Sequence, residues 1–459
     1  MPRLTPFAWT ALAALPFVLA TSARAAQITD VADAVDETDP FDAYLEVKFD
    51  ITRHSGLLTR ENTQPPENDA SGVPRTADVR EMSFEHVKFR IKPRLEVGVF
   101  RDLSVFAEWP IIIWHQQTWR YAEGVDDGKS TLRRDQACLD GSRVGDDGLC
   151  PDGATPATSP GVDGWPETRG AGNTEARIQD GAYGYPANTY NAWAFDHSAS
   201  GGFVGYRQGF DNPTFGARFA FPNNERDDTM PTIMLQADYT APFLQFMNPT
   251  TDEIEDPQNP GPVADGAHRF HFQIAMSKRF LVLDPYFAVD YGFGLPASGN
   301  ASLDGYFPRQ VGTFTIGTEI VPYEDKKLQQ RFTIDVAAFA TYYSEGRDYT
   351  EISDVFREQT YSDQHVRSGL KAGIFFKAIE YLFFEVNGTI AQDSAHLLTI
   401  EDFGQDLEGV GGDSNDQVNL DDPNERNPYF NPAIDTAGRR LKVQEALYLG
   451  VLVHAGITF

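Results

Sequence analysis

The sequence alternates between apolar and polar residues with a period of two over many separate segments. In the first, Ala43, Leu45, Val47, Phe49 and Ile51 are apolar, and the residues between them are polar. Successive side chains of a β-strand point to opposite faces, so this pattern predicts a strand with one apolar and one polar face. Twelve strands are predicted, near residues 42–52, 86–99, 103–113, 213–221, 231–242, 268–279, 283–293, 311–321, 331–343, 366–376, 381–391 and 443–459.

The links between these strands alternate between short and long. Short links lie at 100–102, 222–230, 280–282, 322–330 and 377–380, and long polar links occupy the other connections, including 117–212 and 392–442. Tight turns at one end of a sheet and long loops at the other are typical of bacterial outer-membrane barrels. The predicted fold is therefore all-β: a transmembrane antiparallel up-and-down β-barrel of about 12 strands, with short periplasmic turns and long extracellular loops.

A soluble β-sandwich would also alternate, and two features weigh against it. One predicted strand carries Lys88, Arg90, Lys92 and Arg94 on its polar face, which suits a wet barrel lumen better than a soluble sandwich. Aromatic residues also fall at or near strand ends, as an interfacial girdle requires: Trp109, Trp114, Tyr239, Tyr291, Tyr342 and Tyr381.

Charge and hydropathy exclude other classes of protein. The mean hydropathy of −0.39 is too low for a polytopic helical membrane protein, which needs repeated apolar runs of about 20 residues. The net charge of −29 disfavours nucleic-acid binding because a polyanion would be repelled. Much of the negative excess lies in the predicted loops, the last one most of all, so it does not imply an acidic pore.

The first 25 residues resemble a targeting segment. Arg3 precedes an apolar stretch from Phe7 to Ala20, and Ala23-Arg24-Ala25 fits a small-residue cleavage site. We expect residues 1–25 to be a signal peptide, residues 26–41 a periplasmic tail, and residues 42–459 the barrel with its long extracellular loop 117–212.

The two cysteines, Cys138 and Cys150, share one polar segment of that loop. An even count in an exported protein favours a disulfide. A metal site built on the two cysteines has no further His or Cys nearby. The acidic loop 392–442 has oxygen ligands that could hold calcium but lacks the spacing of an EF-hand, so a solvated loop is favoured over a calcium site. We expect no metal site and no cofactor.

The last predicted strand alternates from Leu447 to Phe459, and Phe459 is the final residue. This segment resembles the C-terminal signal of Gram-negative outer-membrane proteins, which the barrel-assembly machinery reads. Residues 210–218 are similar to the turn-then-strand motif of outer-membrane transporters of the porin superfamily, with Phe210 and Arg218 where that motif has Gly and Lys. The resemblance implies a bacterial outer-membrane location, with outer-membrane lipid and lipopolysaccharide as the environment.

The polar faces of the strands predict the lining of the lumen. The basic ladder on the second strand either pairs with neighbouring acids or forms a track for anionic solutes. The predicted lining residues are Lys88, Arg90, Lys92, Arg94, Glu46, Asp50, Glu108, Arg218, Asp238, Arg269, His271 and Asp335. Their mixed signs predict weak ion selectivity.

The predicted function is an outer-membrane channel for small hydrophilic or amphipathic solutes, by passive or facilitated diffusion. A hydrolase and a non-conducting structural barrel are the alternatives. Triad residue types occur at Asp196-His197-Ser198-Ala199-Ser200, but neighbours on one segment seldom reach triad geometry, so we expect no enzyme. Twelve strands allow a narrow channel, which loop 117–212 either constricts from within or caps from outside.

Overall fold

A computed structural model describes residues 26–32, 34, 42–64, 75–125, 202–223, 229–298, 303, 305–325, 327–379, 381–405, 424–425, 427–430, 434–435 and 440–459. Within these residues, no helix is long and apolar enough to cross a membrane.

Twelve barrel strands run antiparallel around one closed sheet. They are β1 (Ala43–Gln64), β2 (Arg75–Phe100), β3 (Leu103–Glu108 and Ile111–Tyr121), β4 (Gly202–Phe210 and Thr214–Ala220), β5 (Thr232–Thr240), β6 (Ala267–Ser277), β7 (Leu283–Pro296), β8 (Val311–Asp325), β9 (Gln330–Tyr343), β10 (His365–Ile379), β11 (Leu382–Asp393) and β12 (Leu441–Thr458). Each strand pairs with its sequence neighbours, and β12 pairs with β1 to close the barrel. The predicted fold class and strand number are confirmed.

The outer wall of the barrel is apolar. Every strand contributes at least one large exposed apolar side chain, and polar residues alternate with these side chains on the inner face. One example from each strand, in order, is Phe49, Phe89, Val105, Phe215, Leu235, Ile274, Val289, Phe314, Val336, Leu370, Val386 and Val453. A closed barrel with such a band is the architecture that spans bacterial outer membranes, because closure leaves no backbone edge unpaired in lipid.

Aromatic side chains near the strand ends have the polar contacts expected of a membrane interface. The hydroxyls of Tyr291 and Tyr342 hydrogen-bond to the side chains of Gln310 and Gln364, at 2.8 and 2.6 Å. Trp109 departs from the predicted girdle. Its amide bonds to the carbonyl of Pro93, at the centre of the apolar band of β2, so Trp109 lies at mid-height.

Two adjacent strands are interrupted at the same height. Residues 109–110 break β3 and residues 211–213 break β4, so that three residues stand opposite two. Pro93, Pro110 and Pro213 lie at this position, and proline has no amide hydrogen for the sheet ladder. The local loss of three donors accounts for the interruption. It turns Asn212 into the barrel interior, where its side-chain amide bonds to the carbonyl of Asp265 at 2.9 Å.

The strands extend further than the sequence predicted at their long-loop ends. β1 continues to Gln64 and β2 starts at Arg75, and beyond the apolar band the outer wall becomes polar, as in the exposed pair of Arg53 with Glu85. Residues 117–121 and 202–210, which the sequence assigned to loop 117–212, belong to β3 and β4. The segment Gly202–Phe210 was missed because its three glycines weaken the alternation.

The barrel lumen is occupied at both ends. At the long-loop end, residues 243–266 and 344–364 fold inward, and we call them the outer plug. It contains a hairpin (Gly346–Asp348 with Thr360–Ser362) and a buried helical turn, α1 (Ser353–Phe356). Its apolar side chains pack with inward-facing residues of the wall in one buried cluster that includes Phe84, Trp119, Phe203, Ile254, Ile352, Val355 and Phe356.

At the short-turn end, residues 26–32 enter the barrel, and we call them the inner segment. Ala26 and Ile28 pack on small inward-facing side chains that leave room for them, at Ala275, Ala288 and Ala337. The amide of Gln27 bonds to Glu319 at 2.8 Å, and the hydroxyls of Thr29 and Ser277 lie 2.7 Å apart. The described part of the predicted periplasmic tail therefore contacts the inner wall rather than extending away from the barrel.

Candidate solute pathway in the barrel lumen

Two adjoining cavities lie between the outer plug and the inner segment. The outer cavity has a volume of about 560 Å³ and is bounded by residues 348–351 of the outer plug. The inner cavity has a volume of about 620 Å³ and is bounded by Gln27, Ile28 and Asp30 of the inner segment. Lys92 lines both. The inward faces of the strands thus enclose two cavities with polar linings that meet at Lys92.

The predicted lining residues project into the lumen. Lys88, Arg90, Glu108 and Arg269 line the outer cavity, and Lys92 lines both cavities. The inner cavity is lined by Glu46, Asp50, Arg94, Arg218 and Asp335. Asp238 and His271 face the lumen between β5 and β7, where the two nitrogens of His271 lie 2.9 Å from Asp238 and 3.3 Å from Asp290.

Six cations around the inner cavity are paired. Each has a carboxylate within 4.0 Å, which offsets the cost of a charge in a confined lumen. The pairs are Arg94 with Glu96 at 2.5 Å, Arg218 with Glu96 at 3.5 Å, Arg331 with Glu319 at 2.9 Å, Lys371 with Asp335 at 3.6 Å, Lys48 with Glu46 at 3.7 Å and His454 with Glu385 at 3.0 Å.

The outer cavity is different because its arginines are paired and its lysines are not. Arg90 bonds to Asp50, Arg269 to Asp265, and Arg367 to both oxygens of Asp393 at 2.6 and 2.9 Å. Within the described part of the chain, Lys88 and Lys92 have no hydrogen bond and no carboxylate within 4.0 Å. In the basic ladder of β2, the two arginines, Arg90 and Arg94, are therefore paired with carboxylates, and the two lysines are not.

A buried arginine holds the outer plug against the wall. Arg207, on β4, is 1% exposed and bonds to both carboxylate oxygens of Asp354 in α1, at 2.6 and 3.0 Å. It also bonds to Asp252 at 2.8 Å and to the hydroxyl oxygen of Tyr349 at 2.6 Å. The amide of Gln117, on β3, donates to Asp354 at 2.6 Å. One guanidinium thus joins both loops of the plug to the barrel.

A second charged contact lies where the plug faces the outer cavity. The carboxylate of Glu351 lies 3.7 Å from the imidazole of His54 on β1. Burial raises the pKa of Glu351, but the electrostatic interactions with His54, Arg309 and His396 outweigh it and lower that pKa to about 2. Glu351 is therefore an anion at neutral pH.

Sequence reasoning missed the residues that close the lumen. Arg207 and Asp354 lie in segments that it assigned to loops, and no local motif pairs them across 147 positions. A usable signal was present for Arg207, which is the lone charge in the segment Gly202–Phe210. A lone charge among glycines and aromatic residues is costly to bury without a partner.

Several predictions fall outside the described residues: the signal peptide, the disulfide of Cys138 with Cys150, and the segment Asp196–Ser200. Phe459 is described, and it exchanges backbone hydrogen bonds with Ala43 at 2.9 and 3.2 Å where the barrel closes. Its part in assembly remains a prediction. The described residues contain no group of three or more His, Cys, Asp or Glu arranged to hold a metal ion.

No protein-family model matches the chain, and no curated protein matches it by sequence. Solved structures similar to it are outer-membrane barrels. An outer-membrane channel from Pseudomonas putida F1 has 9% identity and a TM-score of 0.37, over 90% of this chain and 95% of the other. The toluene transporter TodX of Pseudomonas putida has 7% identity and a TM-score of 0.32, over 95% and 94%. The outer-membrane protease OmpT from Escherichia coli has 6% identity and a TM-score of 0.28, over 94% and 100%.

These similarities are too distant for the functions of those proteins to be carried over. The barrel assignment rests on the strand pairing and the apolar outer band of this chain.

Proposed function

We propose that this protein is an outer-membrane channel that passes small polar or amphipathic solutes by diffusion. The observation that carries the proposal is the pair of adjoining polar cavities, of about 560 and 620 Å³, that Lys92 joins inside the barrel. A purely structural barrel of this size has no need of such space, because packed side chains would stabilise it better.

The outer plug and the inner segment make the passage a controlled one. Both contact the inner wall through non-covalent interactions that include the hydrogen bonds of Arg207 at one end and of Glu319 at the other. A solute therefore crosses when these contacts exchange with water, and the lumen charges select among the solutes that enter. The solute gradient supplies the driving force.

Liposome swelling tests the proposal. Vesicles that contain the purified protein should swell in glycine or arabinose, and the rate should fall steeply for a trisaccharide that exceeds the cavities. Arg207→Met, which loosens the outer plug, should swell faster than wild type. Arg53→Met, an exposed pair with Glu85 on the outer wall, is the matched control and should swell at the wild-type rate. A lack of swelling for wild type and Arg207→Met alike would identify a non-conducting barrel.

A further inference from the structure

We propose that the outer cavity contains a binding site for a small organic monocarboxylate, contacted by Lys88 and Lys92. The inference rests on the proposed function and deepens it, since it names the class of solute that would bind in the lumen. It rests on four features of the cavity: the neighbours of each lysine, the acids that line the same space, the unpartnered donors beside Lys88, and the apolar surface.

Lys88 has no acidic neighbour across the sheet. In the antiparallel register it stands opposite Thr52 on β1 and opposite His115 on β3. The inward residues before and after it on β2 are His86 and Arg90. Cross-strand pairs are the closest contacts that a sheet offers, and neither of the two residues opposite Lys88 carries a negative charge.

Lys92 has a like charge as its neighbour. It stands directly opposite Lys48 on β1, and like charges at this position destabilise a sheet. Lys48 itself lies 3.7 Å from Glu46. On its other side Lys92 meets the interruption of β3, where Trp109 and Pro110 replace an inward-facing partner. A bound anion would relieve this repulsion.

Acids do line the outer cavity, but most of them are already engaged. Asp265 pairs with Arg269, Asp348 with Arg309 at 3.0 Å, and Glu351 contacts His54. The remaining two, Glu108 and Asp211, lie beyond 4.0 Å from both lysines. They would repel a second negative charge, so the site favours a monoanion over a dianion such as phosphate.

Two more buried nitrogen atoms next to Lys88 lack a hydrogen-bond partner among the described residues. The Nε2 atom of His86 and the Nε atom of Arg90 are buried without a hydrogen-bond partner. Buried donors of this kind are expensive unless a ligand or water accepts from them. Tyr306, Tyr448 and Met247 add apolar surface to the same cavity, which suits a carboxylate with an apolar body.

Isothermal titration of the full chain in detergent tests the site, with benzoate as the probe. Benzamide, its neutral isostere, should bind at least about tenfold more weakly, because a charged acceptor strengthens each hydrogen bond. Inorganic phosphate should also bind more weakly than benzoate. Equal affinities for benzoate and benzamide, or no benzoate binding, would overturn the proposal.

Substitution localises the binding. Lys88→Met and Lys92→Met should each weaken benzoate binding by about tenfold. Lys371→Met is the matched control, because Lys371 is a paired lysine of the inner cavity, and its benzoate affinity should equal that of wild type. Equal losses in all three variants would contradict the assignment, since general electrostatics rather than a site would then explain them.

The design separates this inference from the proposed function. Benzoate binding without liposome swelling would leave the site standing and remove the channel. Swelling without charge-dependent binding would leave the channel standing and remove the site.

Discussion

The two cavities of one lumen differ in how they treat charge. Around the inner cavity six cations have a carboxylate within 4.0 Å, as in Arg331 with Glu319. Around the outer cavity the arginines are paired, but among the described residues Lys88, and Lys92 where the two cavities meet, have no carboxylate within 4.0 Å. Seven of the twelve strands line both cavities, so the contrast depends on which residues of the strands face each cavity.

The contrast between paired and unpaired charges separates side chains that stabilise the lumen from side chains that are available to bind a ligand. Paired charges hold a lumen polar without attracting ligand, because each carboxylate is already satisfied. Unpaired lysines cost stability in the empty protein and recover it when an anion binds. Under the proposed function, the inner cavity is the structural part of the passage, and the outer cavity is the part that would recognise solute.

The largest expected effect comes from the contact that closes the outer cavity. Arg207→Met leaves Asp354 buried without its guanidinium, which should cost about 3–5 kcal/mol of local stability. Hydrogen–deuterium exchange should show lost protection in residues 344–364. Unchanged protection would mean that the apolar cluster alone holds the plug.

A smaller effect is expected where the inner segment closes the inner cavity. Arg218 pairs with Glu96 and donates to the carbonyl of Ile28 at 3.2 Å. Arg218→Met should destabilise the segment by about 1.5–3 kcal/mol, the value of a hydrogen bond to a charged group. Exchange in residues 26–32 should accelerate while that in residues 344–364 stays at the wild-type rate. Loss of protection at both ends would show that the two closures are coupled.

The smallest expected effect distinguishes the two cavities best, because replacing an unpaired lysine and replacing a paired lysine should change the stability of the barrel in opposite directions. Lys92→Met removes repulsion with Lys48 and should stabilise the ligand-free barrel by about 0.2–1 kcal/mol. Lys371→Met breaks the pair with Asp335 and should destabilise the barrel by a similar amount. Urea unfolding in detergent, followed by tryptophan fluorescence, measures both. Two changes of the same sign would refute the distinction between the cavities.

The barrel could be predicted from the sequence because lipid imposes a strict rule. Outward-facing residues such as Phe49 and Leu370 must be apolar, and alternation with inward polar residues follows. The prediction of strand ends was less accurate outside the membrane, where lipid no longer requires apolar outward-facing residues. β1 beyond Arg53 and β2 before Val87 carry polar residues on the outer wall, such as Arg53 and Glu85, so the apolar–polar alternation ends and their true length was hidden.

The closures of the lumen could not be predicted for a different physical reason. Arg207 and Asp354 meet through tertiary folding of loops, and nothing in the neighbouring residues specifies that contact. The basic ladder was visible in the sequence, but its pairing was not. Lys88 stands opposite His115 and not opposite an acid because of the register between β2 and β3, which the proline interruption sets.

Single-channel conductance in planar bilayers tests the central claim that the two cavities form one passage closed at both ends. Wild-type protein should show small, intermittent currents. A variant that combines Arg207→Met with deletion of residues 26–32 should show larger and longer openings, and benzoate should reduce its current more than benzamide does. A folded combined variant that carries no current would contradict the account.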